Sequence, residues 1–380
     1  MRVLIVGGGI AGLTLAAKLA QQGRRPVVVE RRERYGTRGY ALGLHPFGSC
    51  VLHGLGVYQA WAAGATEIRR YELADERGEV LSAVDLDELG CTVGPSYDTT
   101  HDDLVRALRG ACEDVEVRMG TTVRHLDQRE EAVAALFSDG TGGEFDLVCG
   151  CDGTGSEIRR RVFGDQPTFD TGWVAWTWGG PPWPSPTLVR EHWLPGAFFG
   201  AYPVGGGSTF VTAVPIDEAD PAAGLSEAQI MDRLARALDA LATRDPSLST
   251  ALAAPAGLAS WALEDVQVPD LHRGRVVLCG DAGLAFLPTA GLGAATALRS
   301  AAALGDELSR ADARLVPLAA ARYARRVGPV VSRAQVSSHR LARAMFRERR
   351  GTARARDEVR RHLPTKARGI RLVDLMREPL

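Results

Sequence analysis

The sequence predicts an α/β fold in which a Rossmann-like domain is interleaved with a β-sheet domain and followed by C-terminal helices. Residues 2–6 form a short apolar run, and the motif Gly7-x-Gly9-x-x-Gly12 and a helical pattern follow it directly. This order is typical of the βαβ unit that binds dinucleotides. Five of the seven tryptophans lie between residues 173 and 193, where the composition changes and indicates a second sheet.

These changes along the chain predict three regions. The Rossmann-like domain is expected in residues 1–70, 97–165 and 262–320, the β-sheet domain in residues 71–96 and 166–261, and the C-terminal helical region in residues 321–380. The last region carries 17 basic residues against 5 acidic ones. A solvated helical face is the ordinary explanation of this excess, and attraction of an anionic cofactor or substrate is the alternative.

The composition excludes several classes of protein. The 45 basic and 46 acidic residues give a net charge of −1, which argues against nucleic acid as the main partner. The longest uncharged stretch, residues 193–216, contains three prolines and a glycine triplet, so we expect no membrane span. Glycines also interrupt the apolar start, and the six cysteines are scattered, so we expect a cytoplasmic protein with reduced thiols and no metal site.

The first glycine motif meets the separate requirements of a pyrophosphate site. Gly7 permits the tight turn, Gly9 lets backbone N–H groups approach the phosphates, and Gly12 allows the helix to pack closely on the strand. The N-terminus of the helix supplies positive potential. Glu30 ends the next β-branched run and can accept hydrogen bonds from both ribose hydroxyls. Because a carboxylate there would repel a 2′-phosphate, the site favours FAD or NAD over NADP.

Two further motifs each place an aspartate just beyond a buried apolar run. They are Asp152-Gly153 with Ser156 and Arg159, and Gly280-Asp281 with Pro288 and Gly291-x-Gly293. In an open α/β sheet the carboxyl ends of the strands form the ligand crevice, so both motifs are expected there. A helix that begins near Gly293 would stabilise negative charge on a reduced flavin ring. For either motif alone, the alternative is a helix N-cap.

With these three motifs the chain resembles the single-component FAD-dependent aromatic hydroxylases, the para-hydroxybenzoate hydroxylase-like flavoprotein monooxygenases, over residues 1 to about 346. The resemblance implies an FAD site with Glu30 at the ribose, Asp281 at the ribityl–pyrophosphate region and the backbone of Leu292 and Gly293 facing the isoalloxazine. The positions that it implies for cofactor binding are Gly7, Gly9, Ile10, Ala11, Gly12, Glu30, Arg31, Arg38, Leu42, His101, Asp152, Gly153, Asp281, Pro288, Gly291, Leu292 and Gly293.

The resemblance also implies the reaction. NAD(P)H would reduce FAD, dioxygen would add at the flavin 4a carbon, and the resulting hydroperoxide would hydroxylate a small aromatic or polycyclic, secondary-metabolite-like substrate. The hard chemistry then belongs to the flavin, and we expect no protein acid–base pair. His101, Leu284, Leu292 and Ala295 stand where the family often has Arg, His, Gln and Asn, so we expect weaker polar contacts to the flavin. We expect a monomer or a homodimer.

The tryptophan-rich segment is the expected substrate wall. Trp176 and Trp178 share one strand face, as do Arg190 and His192. In the family that the chain resembles, the inner face of such a sheet covers the flavin. We therefore expect Trp176, Trp178, Arg190, His192 and Tyr202 to contact the substrate, with ordinary core packing as the alternative for each tryptophan.

The same scaffold could carry other functions. The segment from Trp176 to Pro181 is similar to a flavin-dependent halogenase motif, but such enzymes need an active-site lysine. Lys18 lies in the first predicted helix and Lys366 in the C-terminal tail, which argues against halogenation. Baeyer–Villiger or epoxidising chemistry stays open, as does a non-catalytic protein that binds FAD or another ligand. Flavin reduction by a nicotinamide, stimulated by an aromatic compound, would distinguish an oxygenase from a binder.

Overall fold

The computed structural model describes residues 1–36, 40–219, 224–245, 248–249, 256–347 and 350–362. The strands are β1 (Val3–Val6), β2 (Val27–Glu30), β3 (Ala41–Leu44), β4 (Thr66–Ile68), β5 (Arg70–Ala74), β6 (Val80–Asp85), β7 (Ser96–Thr100), β8 (Glu116–Met119), β9 (Val123–Gln128), β10 (Val133–Phe137), β11 (Gly142–Phe145), β12 (Leu147–Gly150), β13 (Thr168–Gly180), β14 (Leu188–Leu194), β15 (Ala197–Val204), β16 (Gly207–Pro215), β17 (Ala256–Val266), β18 (His272–Arg273) and β19 (Val276–Leu278). The helices are α1 (Ile10–Gln21), α2 (Pro46–Gly54), α3 (Tyr58–Ala62), α4 (Leu86–Val93), α5 (His101–Gly110), α6 (Glu157–Phe163), α7 (Ile216–Ala219), α8 (Glu227–Ala242), α9 (Asp281–Leu284), α10 (Gly293–Ser309), α11 (Val316–Met345) and α12 (Arg350–His362), with a 3₁₀ turn at Pro288–Ala290.

A six-stranded sheet forms the first layer, in the order β18-β19-β12-β1-β2-β8. Strand β1 pairs in parallel with β2 and β12, and its four residues are all buried. Val3 and Ile5 pack in one core with α1, α10 and α11, while Leu4 and Val6 pack in another with the hairpin strands β9–β11. Both faces of the sheet are therefore covered, which is why these strands are continuous apolar runs. The predicted Rossmann-like βαβ unit is confirmed.

A seven-stranded sheet forms the second main layer, in the order β17-β13-β16-β15-β14-β5-β6. Its strands pair antiparallel except for β14 and β5, which run in parallel. Helix α8 covers one face, where Leu234 and Leu238 pack in an aromatic core. The helix begins in a capping box, in which the side chains of Ser226 and Gln229 each bond the backbone of the other residue. We call the face under α8 the outer face and the opposite face the inner face.

The 30-residue helix α11 joins the two layers. Tyr323 is buried in the core beneath α1, and its hydroxyl donates to the carbonyl of Leu278 at 3.1 Å. Further along, the amide of Gln335 donates to the carbonyls of Val266 and Ala285, and Met345 packs against the seven-stranded sheet. A further small sheet has three strands, in the order β3-β7-β4. Within the described ranges, no helix combines enough length with enough apolar character to cross a membrane.

Candidate active site

A cavity of about 2880 Å³ is lined by both main sheets and by the small sheet. The carboxyl ends of β1, β2 and β12 open into it, as the crevice rule for α/β sheets predicts. We call the part lined by Gly7, Gly9, Glu30 and Tyr35 the nucleotide end. The part lined by Tyr71, Asp98, Glu191 and Tyr202 is called the inner end.

The glycine motif leaves the start of α1 open to the nucleotide end. Gly7 has a φ of +111°, and a Cβ there would overlap the carbonyl of Cys151. A Cβ at Gly12 would overlap the carbonyl oxygen of Gly7. Gly9 is the N-cap of α1, no side chain caps this helix, and a Cβ at Gly9 would meet no described atom within 4 Å. The first N–H groups of α1 are therefore available for a phosphate anion.

Glu30 and Tyr35 lie beside this helix start. The carboxylate of Glu30 accepts hydrogen bonds from the N–H of Gly8 at 2.8 Å and of Arg32 at 3.0 Å. The Tyr35 hydroxyl is buried without a hydrogen-bond partner among the described residues, and the Arg109 guanidinium lies 4.5 Å from the Tyr35 ring centroid. Burial raises the pKa of Tyr35 to about 12, so the phenol keeps its proton. Sequence reasoning missed Tyr35, a buried donor of the kind that a ribose or phosphate oxygen satisfies.

Asp152 and Arg159 fix the second motif. The Asp152 carboxylate accepts from the Ser156 hydroxyl at 2.5 Å and from the Glu157 N–H at 2.8 Å, so it supports the start of helix α6, whose N-cap is Ser156. Arg159 donates to the carbonyls of Thr154 and Ala282 and thereby joins the second motif to the third. Burial lowers the pKa of Arg159, which still stays charged at neutral pH. Asp152 lines the cavity, but both of its carboxylate oxygens bond groups at the start of α6, as the alternative of a role at the helix N-terminus predicts.

The third motif presents a second open helix start. Gly291 has a φ of +63°, and no described side chain caps α10, which begins at Gly293. His45 lies close by, with Nδ1 3.3 Å from the Ser96 hydroxyl. Burial lowers the pKa of His45 to about 4, so the imidazole is neutral at neutral pH. This region therefore offers N–H groups and a neutral ring to a planar ligand.

The structure places most of the predicted cofactor residues on the cavity. Those that line it are Gly7, Gly9, Ile10, Ala11, Glu30, Arg31, Leu42, His101, Asp152, Gly153, Asp281, Pro288, Gly291 and Gly293. Gly12 is buried where α1 meets the first glycine turn, and the side chain of Leu292 is 3% exposed and lies outside the lining. Arg38 lies outside the described residues.

The expected wall of Trp176 and Trp178 is wrong. Both side chains lie on the outer face of β13, 7% and 1% exposed, in the core beneath α8. Ala175 and Thr177, the alternate residues of the same strand, line the cavity instead. Alternation correctly put the two tryptophans on one face, but it does not say which face meets the cavity.

Arg190 and His192 also lie on the outer face, so their expected contact with substrate is wrong too. Arg190 forms an ion pair with Glu72, at 2.7 Å, and His192 is 2% exposed beside Trp183. Burial lowers the pKa of His192 to about 4. Of the five expected wall residues, Tyr202 lines the cavity.

Sequence reasoning missed the polar residues of the inner end. Glu191 and Trp193 alternate with Arg190 and His192 along β14 and line the cavity, as Asp98 of β7 does. Glu191 stands between Arg190 and His192, so strand alternation, which puts it on the face opposite to them, was the available signal. For Asp98, in the polar segment 96–100, no pattern indicated burial.

Known proteins share this sequence pattern. A family model described as an FAD binding domain matches residues 1–313. The 3-amino-4-hydroxybenzoate 2-monooxygenase of Streptomyces cremeus is 32% identical over 315 residues, which cover 80% of this chain and 77% of that protein. The 6-hydroxynicotinate 3-monooxygenase of Pseudomonas fluorescens is 27% identical over 336 residues, which cover 84% of this chain and 86% of that protein.

The fold is shared with a solved flavoprotein. The structure of Klebsiella pneumoniae HpxO complexed with FAD and uric acid matches this chain with a TM-score of 0.86 at 21% identity, covering 99% of this chain and 96% of that one. The open helix starts at Gly9 and Gly293 fit the phosphates and ring of such a cofactor. The chain belongs to the FAD binding domain family and is an FAD-dependent monooxygenase of the aromatic flavin monooxygenase group.

Proposed function

We propose that this enzyme uses NAD(P)H and dioxygen to hydroxylate a small aromatic or polycyclic substrate. The observation that supports this most strongly is that one cavity extends from the nucleotide end to an inner end lined by Tyr71, Trp193 and Tyr202. Relatives named for their action on 3-amino-4-hydroxybenzoate and 6-hydroxynicotinate support a ring bearing hydroxyl or amino groups. Bound FAD would supply the electron transfer and the activation of dioxygen.

The residues of this chain would bind and orient the two ligands. The start of α1 and Glu30 would hold the pyrophosphate and ribose of FAD, and the Tyr35 hydroxyl would donate to an oxygen there. The backbone at Gly291–Gly293 would contact the flavin ring. In this proposal residues 1–70, 97–165 and 262–320 bind the cofactor, residues 71–96 and 166–261 bind the substrate, and residues 321–380 form the C-terminal helical region.

The test is oxidation of NADH or NADPH by the purified yellow protein with a panel of phenols, aminophenols and polyketide-like aromatics. We expect at least one compound to accelerate oxidation, and mass spectrometry under labelled dioxygen to find one labelled oxygen atom in the product. Ring-hydroxylated, lactone and epoxide products are distinguished by NMR. Flavin that neither nicotinamide reduces would contradict the proposal and favour the non-catalytic binder.

A further inference from the structure

We propose that Asp98 and Glu191 form a carboxyl pair that selects aromatic substrates by a hydrogen-bond-donating substituent, an amino or hydroxyl group. This inference rests on the proposed function and specifies the substrate class of the same site. Both residues line the inner end of the cavity, Glu191 from β14 of the seven-stranded sheet and Asp98 from β7 of the small sheet. The two carboxyl groups therefore approach the substrate from different layers of the fold.

Glu191 is held rigidly by three neutral donors. Its Oε2 accepts from the Tyr71 hydroxyl at 2.6 Å and from the Trp193 indole N–H at 3.1 Å, and its Oε1 accepts from the Tyr202 hydroxyl at 2.9 Å. These partners come from three neighbouring strands, β5, β14 and β15. An ionised carboxylate can accept about four hydrogen bonds. Glu191 therefore stays satisfied without a cation and keeps room for one more donor.

Asp98 lacks the partners that Glu191 has. It is 4% exposed, and its Oδ2 is buried with no hydrogen-bond partner among the described residues. Burial and the charge of Glu191 raise the pKa of Asp98 well above its ordinary value. A buried polar atom without a partner is unfavourable, and such a group is retained where a ligand completes it.

The charged residues around Asp98 and Glu191 indicate which substituent of a substrate can bond to the unpartnered oxygen of Asp98. Neither Asp98 nor Glu191 forms an ion pair with a described arginine or lysine. The described arginines that line the cavity follow β2, lie in α6, or lie in the C-terminal region from residue 340 onward. Of these, Arg356 reaches the inner end at Trp193, where it donates to the Trp193 carbonyl, and its Nε donates to Asp357. The charge of Glu191 disfavours a substrate carboxylate beside the pair, while an N–H or O–H group can donate to the free lone pair of Glu191 and to the unpartnered oxygen of Asp98. Amino and hydroxyl substituents are also those that enrich an aromatic ring in electrons, as oxygen transfer requires.

The contrast with Glu72 gives a matched control. Glu72 is equally buried, 6% exposed, but it lies on the outer face and pairs with Arg70 and Arg190 at 2.7 Å each. A carboxyl group with a structural role has such partners. Replacing it should lower the midpoint of thermal unfolding and leave ligand preference unchanged. Replacing Asp98 should instead raise the midpoint of thermal unfolding and change the ligand preference, because removing an unpartnered polar group does not remove native interactions.

The experiment compares two ligands on the FAD-loaded protein by calorimetric titration. The probes are 3-amino-4-hydroxybenzoate and 3-methyl-4-methoxybenzoate, which are similar in size but differ in their ring donors. We expect the wild type to bind the first at least tenfold more tightly. In Asp98→Ala this preference should fall to about twofold or less, the apoprotein should unfold at a higher temperature, and FAD affinity should be unchanged. Glu72→Gln should keep the tenfold preference.

Several outcomes would overturn the inference. The first is that the wild type binds both probes equally or binds neither. The second is an unchanged preference in Asp98→Ala. The third is that Asp98→Ala loses FAD affinity but keeps the preference, which would assign Asp98 to the cofactor site. If Asp98→Ala does not bind FAD, Tyr202→Phe is tested in its place. This variant removes one hydrogen-bond donor from Glu191 and should also reduce the preference for the ligand with ring donors. NAD(P)H oxidation stimulated by aromatics, measured separately, tests the proposed function, and its success together with an unchanged preference would refute this inference alone.

Discussion

At the scale of single residues, burial separates groups with the same chemistry into different roles. Glu72 and Asp98 are both acidic and almost fully buried, yet arginines pair with the first, while the second lines the cavity. His45 and His192 both have a pKa lowered to about 4 by burial, but His45 lines the cavity while His192 lies in the outer core. Exposure and partners, more than residue type, therefore indicate which groups meet a ligand.

His192 makes the fold sensitive to acid. Its pKa is lowered from 6.5 to about 4, so between these values the unfolded chain binds a proton that the folded chain does not, and stability falls as the pH falls. At pH 5 the loss relative to pH 7 is about 2 kcal/mol. His192→Gln can still donate to the Asp75 carbonyl but cannot be protonated. Urea unfolding at both pH values should show a loss that is smaller by about this amount, and an equal loss in both proteins would contradict the assignment.

The Tyr35 hydroxyl should contribute to cofactor affinity. One neutral hydrogen bond contributes about 0.5–1.5 kcal/mol, so Tyr35→Phe should weaken FAD binding by roughly 2- to 10-fold. Because this hydroxyl has no hydrogen-bond partner among the described residues, the stability of the apoprotein should not fall. Quenching of flavin fluorescence measures the affinity, and thermal unfolding without FAD is the control. An unchanged affinity would show that the hydroxyl faces no cofactor atom.

At the scale of secondary-structure elements, the first turn of α1 combines a glycine that faces the cavity with a glycine that packs against the backbone. Gly9 faces open space, whereas Gly12 touches the carbonyl of Gly7. Gly9→Ala should therefore fold, since its φ of −85° suits alanine, but its methyl group would occupy the expected phosphate position. We expect FAD affinity to fall more than tenfold with little change in apoprotein stability.

Gly12→Ala is the matched comparison for that element. Its methyl group would overlap the Gly7 carbonyl oxygen, so the helix must move away from β1 and the apoprotein should be destabilised. Thermal unfolding of the two apoproteins separates the cases. A larger destabilisation by Gly9→Ala than by Gly12→Ala would contradict the assigned roles.

Strand β13 shows how the two faces of one element differ. Trp176→Ala and Trp178→Ala remove large buried side chains beneath α8, so each should destabilise the protein by about 3–5 kcal/mol. Since neither side chain lines the cavity, the FAD-loaded variants should keep the coupling between NAD(P)H oxidation and product formation. Peroxide release, measured with the substrate found for the wild type, checks this. Increased peroxide release at full FAD occupancy would show that these tryptophans contribute to the substrate site.

At the scale of the whole molecule, one cavity is lined by several layers of the fold. FAD in this cavity would touch the six-stranded sheet, the small sheet and α10 together. A ligand that binds the folded state alone stabilises it by about 2.7 kcal/mol at a concentration 100 times its Kd. Thermal unfolding with and without excess FAD should show this increase in wild type and a much smaller one in Gly9→Ala. No increase in wild type would exclude a cavity-bound cofactor.

The sequence by itself determined the nucleotide end of the cavity. The turn at Gly7 and the approach at Gly9 depend on local backbone geometry, so residue type and spacing predict them directly. The capping box at Ser226 and Gln229 was predictable for the same reason. Placement of α1 between β1 and β2 followed from the order of the elements.

The tertiary structure alone decided the inner end. Alternation puts Glu191 and Arg190 on opposite faces of β14 but gives no sign of which face α8 covers. That choice depends on the packing of residues far apart in the chain. Helix α8 packs on one aromatic face, while α11 packs on part of the other, which carries Trp173, Trp193 and Phe198 and lines the cavity beyond it. The meeting of Asp98 with Glu191 likewise requires the small sheet to pack near β15, and no local pattern in either segment encodes it.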